Sequence, residues 1–307
     1  MKRLLDHASL LLLALAVLVF GLLEPRFVSW SNLANLGTQS ASAIVAATGM
    51  TFVLLTAGVD LSLGAMMFLC AAVAGKLALS GQPLPLCAAA MLGCGALCGA
   101  CNAAAVVWLR VLPFIVTLAT LYLGRGLALS ITETRAMNLP DTWLALGRPA
   151  VAISIAVVVV LLAEVTLRRT VYGRHLYAVG AGKRIAEYAG LPSRRLTFSV
   201  YLVCGVCAAL AALLTLGQLG AVSPKFGENR EFTAIAAAVP GGTSLFGGRG
   251  GVFPGAVFGA LLMQCIGSGL VMVNANPYLY PMVMASVILA AVLLDARRGL
   301  KSPSPPA

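Results

Sequence analysis

An acidic residue inside an apolar run is the feature of this sequence best placed to do chemistry. Asp60 and Ser62 stand two residues apart in LLTAGVDLSLGAMM, between Gly58 and Gly64. A carboxylate at membrane depth costs about 3 kcal/mol or more, so it marks either a function or a break in a helix. The pair also suits a helix start, where a side-chain oxygen accepts a hydrogen bond from a free backbone N–H. Both roles, helix cap and direct contact with a solute or ion, stay open.

A second polar, glycine-rich break follows far along the chain, in VPGGTSLFGGRGG at residues 239–251. Its Thr243 and Ser244 loosely repeat the order small–polar–Ser–Leu–Gly of residues 58–64. Corresponding breaks in two halves of a transporter indicate an inverted repeat with a pathway near the membrane midplane. Serine and threonine in helices also commonly bond their own backbone, which is the competing role. The remaining pathway candidates are Asn102, Phe114, Thr117 and Thr120.

Side chains suited to enzyme chemistry are scarce. His7 and His175 are the only histidines, and both lie at or beyond the ends of apolar runs, so a nucleophile within the bilayer has no base in reach. Asp60 and Glu164 are few for a proton-coupled carrier. The GGRGG around Arg249 lacks the GxxxxGK[ST] pattern of a phosphate-binding loop. We expect no catalytic residue, cofactor or metal site, and an energy source in another protein.

Composition predicts an all-α polytopic membrane protein. The chain has 307 residues, of which 60% are hydrophobic and 10% charged, whereas a soluble domain has about 25% charged residues. The net charge of +11 falls mainly at the ends of apolar segments and in one basic segment, which argues against nucleic-acid binding. The eight cysteines lie almost entirely in apolar runs, where they are expected to act as small packing residues.

About ten apolar segments are long enough to be considered membrane spans, which need about 20 residues each. They are roughly 4–23, 38–57, 61–80, 86–109, 112–131, 149–167, 197–217, 231–247, 252–273 and 278–295. The N-terminal run lacks an obvious signal-peptide cleavage site, so it is expected to stay as the first helix. We predict a single transmembrane domain over 1–295 and a disordered, proline-rich tail over 296–307.

A basic segment at residues 168–195 sets the predicted orientation. It carries seven arginines and lysines against one acid, Glu187. Cytoplasmic loops are rich in such cations, and basic residues also flank the N-terminal run and follow the last apolar segment. With ten spans all three regions lie on one side. We therefore expect this segment and both termini to be cytoplasmic.

Four blocks of this sequence together resemble the permease subunit of bacterial ABC sugar importers of the ribose, xylose, arabinose and galactose type. The blocks are TGMTFVLLTAGVDLSLGAM (48–66), LPFIVTLATLYLGRGLAL (112–129), RRTVYGRHLYAVGAGKRIAEYAGLP (168–192) and FTAIAAAVPGGTSLFGGRGGVFPGAVFGALL (232–262). The resemblance covers roughly residues 30–295 in the same order. It departs from the family at Pro240 and in the more basic AGKRIAEYAG stretch.

The resemblance implies a type II ABC importer permease with ten helices in the bacterial inner membrane. It implies transport of a pentose or hexose by a dimer with a second permease copy or a paralogue. The partners would be a cytoplasmic ATPase with two nucleotide-binding domains, which binds the ATP, and a periplasmic sugar-binding protein. An ATP-independent secondary carrier or channel for a small polar solute is the alternative function.

The resemblance also places an ATPase-coupling helix in the cytoplasmic loop 168–196. This predicted helix comprises Lys183, Arg184, Ile185, Ala186, Glu187, Tyr188, Ala189, Gly190 and Leu191. Its alanines and glycine are small enough for close docking, and its charged residues are suited to orient a partner at the rim. A loop that merely sets topology is the alternative interpretation, although short loops need far fewer charges.

Overall fold

The computed structural model describes residues 8–276 and 278–300, and its architecture is helical. Twelve α-helices are numbered here in chain order. They are α1 Ala8–Leu23, α2 Trp30–Leu55, α3 Leu63–Leu79, α4 Leu84–Val107, α5 Pro113–Thr132, α6 Pro149–Arg169, α7 Val171–Ala181, α8 Lys183–Tyr188, α9 Ser193–Leu219, α10 Arg230–Ala238, α11 Val257–Met272 and α12 Leu279–Leu300. Two-residue strands, β1 Met137–Asn138 and β2 Ala221–Val222, pair antiparallel.

Two long helices form the centre of the bundle. In the most apolar stretch of each helix, 89% of α2 and 78% of α9 is buried, against 17% of α5. Small residues let α9 approach its neighbours closely, as expected for helices packed in a membrane. A Cβ on Gly95 would overlap the carbonyl oxygen of Gly205, and one on Gly99 would overlap that of Tyr201. Outer helices such as α5 leave apolar surface for lipid.

The cysteines behave largely as packing residues. All eight are free thiols, and five of them are buried in the bundle. Cys204 and Cys207 lie where α9 passes α2, and a Cβ on Gly49 would come within 2.6 Å of the Cys207 Cβ. Cys101 is the exposed exception.

The prediction of a multi-span helical membrane protein is confirmed, but not the count of ten. Six helices are long and apolar enough to cross a membrane, and α1, α3 and α12 supply shorter apolar stretches. The predicted span at 231–247 is wrong, because α10 has nine residues and ends at Ala238. Pro240 has no N–H to extend the helix, and Gly242 takes a φ of 98°.

The C-terminal boundary also differs from the prediction. The helix α12 continues to Leu300, so residues 296–300 are helical where a disordered tail was expected. The rest of that tail, residues 301–307, lies outside the described residues, as do the basic residues Lys2 and Arg3 and the histidine His7 of the N-terminal run.

The bundle has two ends of different construction. At one end β1 pairs with β2, and a short 3-10 helix over Asp141–Gly147 packs on the end of α9, where Gly147 and Gly217 bring their backbones into contact. At the other end α7 lies against the C-terminal end of α2 and the turn at 239–251, and α8 follows it in the chain. The candidate site belongs to this second end.

Candidate functional site

The first helix break, residues 56–62, separates α2 from α3 and holds a fully buried carboxylate. Asp60 Oδ1 accepts hydrogen bonds from the Ser62 backbone N at 2.9 Å and from Ser62 Oγ at 2.6 Å. Because α3 begins at Leu63, the carboxylate supports the chain just before a helix start. This is the local, cap-like role that the sequence allowed, and it uses only one carboxylate oxygen.

Neighbouring helices complete a polar cluster around this break. On α4, Asn102 donates from Nδ2 to Ser62 Oγ at 2.8 Å. On α5, Thr117 Oγ1 lies 3.4 Å from the Val59 carbonyl oxygen and 2.9 Å from that of Pro113 in its own helix. Asp60, Ser62, Asn102 and Thr117 are therefore brought together, as four of the eight predicted pathway residues.

Two further candidates on α5 do not join this cluster. Thr120 bonds the Val116 carbonyl of its own helix at 3.1 Å, the packing role that is common for threonine. Phe114 is exposed on the outside of the helix. Neither has a polar contact with the break.

Three buried polar atoms around the first break have no hydrogen-bond partner within the described chain. They are Asp60 Oδ2, Asn102 Oδ1 and the Tyr201 hydroxyl. Leaving such a group unsatisfied costs about 1–3 kcal/mol, so these atoms are the ones that a polar solute or water would satisfy. Tyr201 was missed by the sequence reasoning, because it lies in the apolar run of α9 and no pattern there marks it.

The second break, residues 239–251, is held from the far end of the chain. Ser244 Oγ donates to Asp295 Oδ2 at 2.7 Å, and the Leu245 N donates to the same oxygen at 3.1 Å. Arg249 Nη2 lies 3.3 Å from Asp295 Oδ1. Ser244 is thus a structural tie, whereas the hydroxyl of neighbouring Thr243 is buried and has no partner in the part of the chain described.

The two breaks meet at a contact made of backbone, here called the glycine joint: Leu55, Gly180, Gly247 and Gly248. The Gly248 N donates to the Leu55 carbonyl oxygen at 3.0 Å. A Cβ on Gly180 would overlap both the Leu55 oxygen and the Gly248 N, and one on Gly247 would lie 2.9 Å from the Ala57 N. Only glycine fits where three backbones approach so closely. The joint connects α7 to both breaks.

Side chains of α6 and α7 also form hydrogen bonds with the second break and with the residues directly after it. Arg168, paired with Glu164, donates from Nη2 to the Phe253 carbonyl oxygen at 2.7 Å, and Glu164 accepts from the Phe253 N at 3.0 Å. Tyr177 donates its hydroxyl to the Gly250 carbonyl oxygen at 2.9 Å. Burial, with the nearby charge of Glu164, raises the pKa of Tyr177, so the phenol remains a donor at neutral pH.

The predicted coupling segment presents a different surface from the one expected. Its helix, α8, is six residues long, and Ile185 and Tyr188 are exposed by 67% and 82%. Ala186, expected to permit docking by its small size, is buried against the bundle of its own chain. Of the rest, Leu191 is half-buried, and the exposed residues are Lys183, Arg184, Glu187, Ala189 and Gly190.

These features define a multi-span helical membrane protein whose helices are broken at a buried polar site. A family model described as the branched-chain amino acid transport system / permease component matches residues 32–293. The chain belongs to this family.

Relatives resemble the chain along nearly its whole length. It is 35% identical to the D-allose transport system permease protein of Escherichia coli strain K12, over 94% of this chain and 91% of that protein. It is 36% identical to the ribose import permease protein of Bacillus subtilis strain 168, over 93% and 91%. It is 34% identical to the fructose import permease protein of Rhizobium meliloti, over 93% and 84%. No solved structure matches the chain.

Proposed function

We propose that this chain is the permease subunit of an ATP-driven ABC importer that carries a monosaccharide, a pentose or hexose, into the bacterial cytoplasm. The observation that carries the proposal is its identity of about 35%, over more than nine tenths of its length, with permeases named for allose, ribose and fructose. Those names are more specific than the family description, so we favour a sugar over an amino acid.

The partners follow from this function. A cytoplasmic ATPase with two nucleotide-binding domains binds and hydrolyses the ATP, and this chain takes no cofactor of its own. A periplasmic sugar-binding protein delivers the sugar, and a second permease copy or a paralogue completes a dimer in the inner membrane. The basic segment at 168–195 supports a cytoplasmic position for α7, α8 and both chain termini.

The transmembrane part acts as one unit, residues 1–295, in a type II permease arrangement with ten crossings. The helix Arg230–Ala238 is too short to cross alone, so the tenth crossing would need the turn at 239–251 to complete it. The loose similarity of the two breaks, and their contact at the glycine joint, support an inverted repeat around a central pathway.

The geometry suggests how ATP chemistry in the partner moves the sugar pathway. The ATPase docks on Ile185 and Tyr188, the exposed apolar side chains of α8, with Lys183, Arg184 and Glu187 orienting it at the rim. Movement of α8 passes directly to Gly180, three residues before it at the end of α7, which contacts the end of α2 and the second break. The first break and the adjoining face of α4 hold the polar groups suited to meet sugar hydroxyls, led by Asp60 and Asn102.

Substitutions on α8 test the docking step. The double substitution Ile185→Ser and Tyr188→Ser is expected to abolish ATPase association and uptake, because it removes the apolar anchor. Membrane insertion is expected to stay normal, since neither side chain packs in the bundle. Val171→Ser, at another exposed apolar residue of the same segment, is the matched control and is expected to transport normally. Co-purification with the ATPase and sugar uptake are the measurements.

Two outcomes would favour another function. Unchanged uptake after charge reversal at Lys183, Arg184 and Glu187 would support an ATP-independent secondary carrier or channel. ATP hydrolysis by the purified chain alone would contradict the assignment of ATPase activity to a partner.

A further inference from the structure

A cavity of about 610 Å³ separates α8 from the first break. Its walls come from four parts of the chain: the break itself, the turn between α4 and α5, the α7–α8 segment and the first turns of α9. The side chains that matter here are Arg110, Lys183, Glu187, Arg194 and Tyr201. We call it the α8 cavity.

The α8 cavity is strongly basic for its size. Arg110, Lys183 and Arg194 line it, against one acid, Glu187. Among the described residues none of these cations has a carboxylate oxygen within 4.0 Å. Three unpaired cations around one space repel each other, and an anion placed between them removes that repulsion. Arginine in particular forms paired hydrogen bonds with the oxygens of a phosphate.

A buried hydroxyl adds an independent indication of a ligand. Tyr201 lines the cavity, is fully buried, and has no hydrogen-bond partner for its hydroxyl in the described chain. That oxygen lies 2.7 Å from where a Cβ on Gly58 would stand, and Gly58 forms the same wall. The cations at the mouth thus suit a phosphate, while the inner wall offers a hydroxyl for a polar, neutral group.

We propose that the α8 cavity binds the phosphate group of a small phosphorylated molecule, with a sugar phosphate as the class that matches both walls. The ligand bridges Lys183 of the coupling segment and Arg110 and Arg194 of the bundle, and so restrains α8 against the first break. A separate kinase that transfers the terminal phosphoryl group of ATP to a hydroxyl of the imported sugar, releasing ADP, would generate such an ester in the cytoplasm. Binding of the ester would slow import when the phosphorylated product accumulates. This regulatory meaning rests on the proposed function and orientation, but the binding site does not.

Binding is tested on the full chain in nanodiscs of neutral phosphatidylcholine. Ribose 5-phosphate is the probe and unphosphorylated ribose is the matched control, each followed by titration calorimetry and thermal unfolding. We expect the phosphate ester to bind and raise the unfolding temperature, as any ligand of the folded state does, and ribose to have no comparable effect. Arg194→Gln is expected to weaken binding about tenfold, the loss of one charge-assisted hydrogen bond.

The adjacent arginine provides the decisive control. Arg195 is exposed on the same turn of α9 but does not line the cavity, so Arg195→Gln is expected to leave the affinity within twofold. Equal weakening by both variants, or no binding of the ester, would overturn the proposal. A second set of nanodiscs containing phosphatidylglycerol distinguishes the source of the phosphate: if this lipid stabilises the wild-type chain but not Arg194→Gln, the site holds a lipid headgroup.

Regulation is tested in proteoliposomes of the assembled importer. Ribose 5-phosphate enclosed on the ATPase side is expected to slow uptake by the wild type and to leave Arg194→Gln unaffected. Unslowed uptake despite measured binding would overturn the regulatory role alone. Absence of any ATP-driven uptake would instead contradict the proposed function and leave the binding result standing.

Discussion

The two helix breaks are both stabilised by a carboxylate that bonds a serine, but the carboxylate comes from different parts of the chain. Each exposes backbone at the end of a buried helix, α2 or α10, and each uses a serine and a carboxylate. In the first break the carboxylate is local, since Asp60 bonds Ser62 two residues away. In the second it comes from Asp295, 51 residues away from Ser244, and a cation, Arg249, joins it.

This difference separates a break whose carboxylate has spare bonding capacity from one whose carboxylate is saturated. At the first break Asp60 Oδ2 has no partner among the described residues. At the second, both oxygens of Asp295 accept hydrogen bonds. We interpret the first break as the part that meets the solute and the second as its rigid support.

The largest effect is expected where both breaks are disturbed at once. Gly180→Ala puts a methyl group into the Leu55 carbonyl and the Gly248 N, and backbone cannot rotate away as a side chain can. We expect destabilisation of about 1–3 kcal/mol and at least tenfold slower uptake. The matched control is Gly182→Ala, whose Cβ would meet only the Ile185 side chain, at 3.4 Å or more. Uptake and thermal unfolding are the measurements. Equal effects of the two variants would show that the close backbone contacts of Gly180 are not what holds the two breaks together.

Alanine substitutions at Asp60 and at Asp295 test the difference between the two breaks. Asp295→Ala leaves two donors and Arg249 without their acceptor, so we expect a loss of about 2 kcal/mol in the free energy of unfolding. Asp60→Ala also removes the cost of burying a half-satisfied carboxylate, so we expect about 1–2 kcal/mol there, together with loss of uptake. Thermal unfolding and uptake at matched membrane levels are the two readouts. If Asp60→Ala destabilised the protein more than Asp295→Ala does, the first break and not the second would be the rigid support.

The cation of the second break should matter much less than its acid. Arg249 is half exposed, and ion pairs in contact with solvent contribute about 0–1 kcal/mol. Arg249→Gln is therefore expected to shift the unfolding temperature only slightly and to keep most of the uptake. A loss as large as that of Asp295→Ala would show that the ion pair, and not the hydrogen bonds to Ser244 and Leu245, holds the turn.

The last effect is similarly small and concerns the hydrogen bond between α7 and the second break. Tyr177→Phe removes one hydrogen bond, worth about 1 kcal/mol. Burial raises the folded-state pKa of Tyr177 above its ordinary value of 10.0, so its contribution is complete below pH 10 and is lost as pH rises through the folded pKa. The wild type should therefore lose its advantage over Tyr177→Phe in strongly alkaline buffer. A constant difference across that range in unfolding measurements would exclude the effect.

The sequence predicted the local parts of this site and missed those formed at a distance. Asp60 and Ser62 could be found because a polar pair stands out in an apolar run, and the turn at 239–251 because its glycines are dense. Asp295 could not, since its partners lie 46 to 51 residues earlier. Tyr201 is one aromatic residue among the many apolar residues of α9, and nothing in its spacing reveals an unpaired hydroxyl.

The surface of the coupling segment was predicted only in part. A short helix and exposed charges lie within the predicted range, whereas Ala186, expected to permit docking, faces the bundle; the coupling role itself stays a prediction. A helix of six residues completes fewer than two turns, so its sequence is too short to show which side faces the bundle. The structure turns Ala186 inward and leaves Ile185 and Tyr188 outside.

The glycine joint also has a mechanical consequence. The eleven residues of α7 form a rod of about 16 Å, and the joint lies near one end of it. Contacts between side chains absorb small displacements by changing rotamer, but a contact between backbones has no such slack. A tilt of the rod by about 10° about the joint displaces its far end, at Val171 beside α6, by about 3 Å over that length. Helix α7 thus behaves as a rigid element that pivots about three closely packed peptide backbones. Such rigidity couples the movements of its two ends tightly.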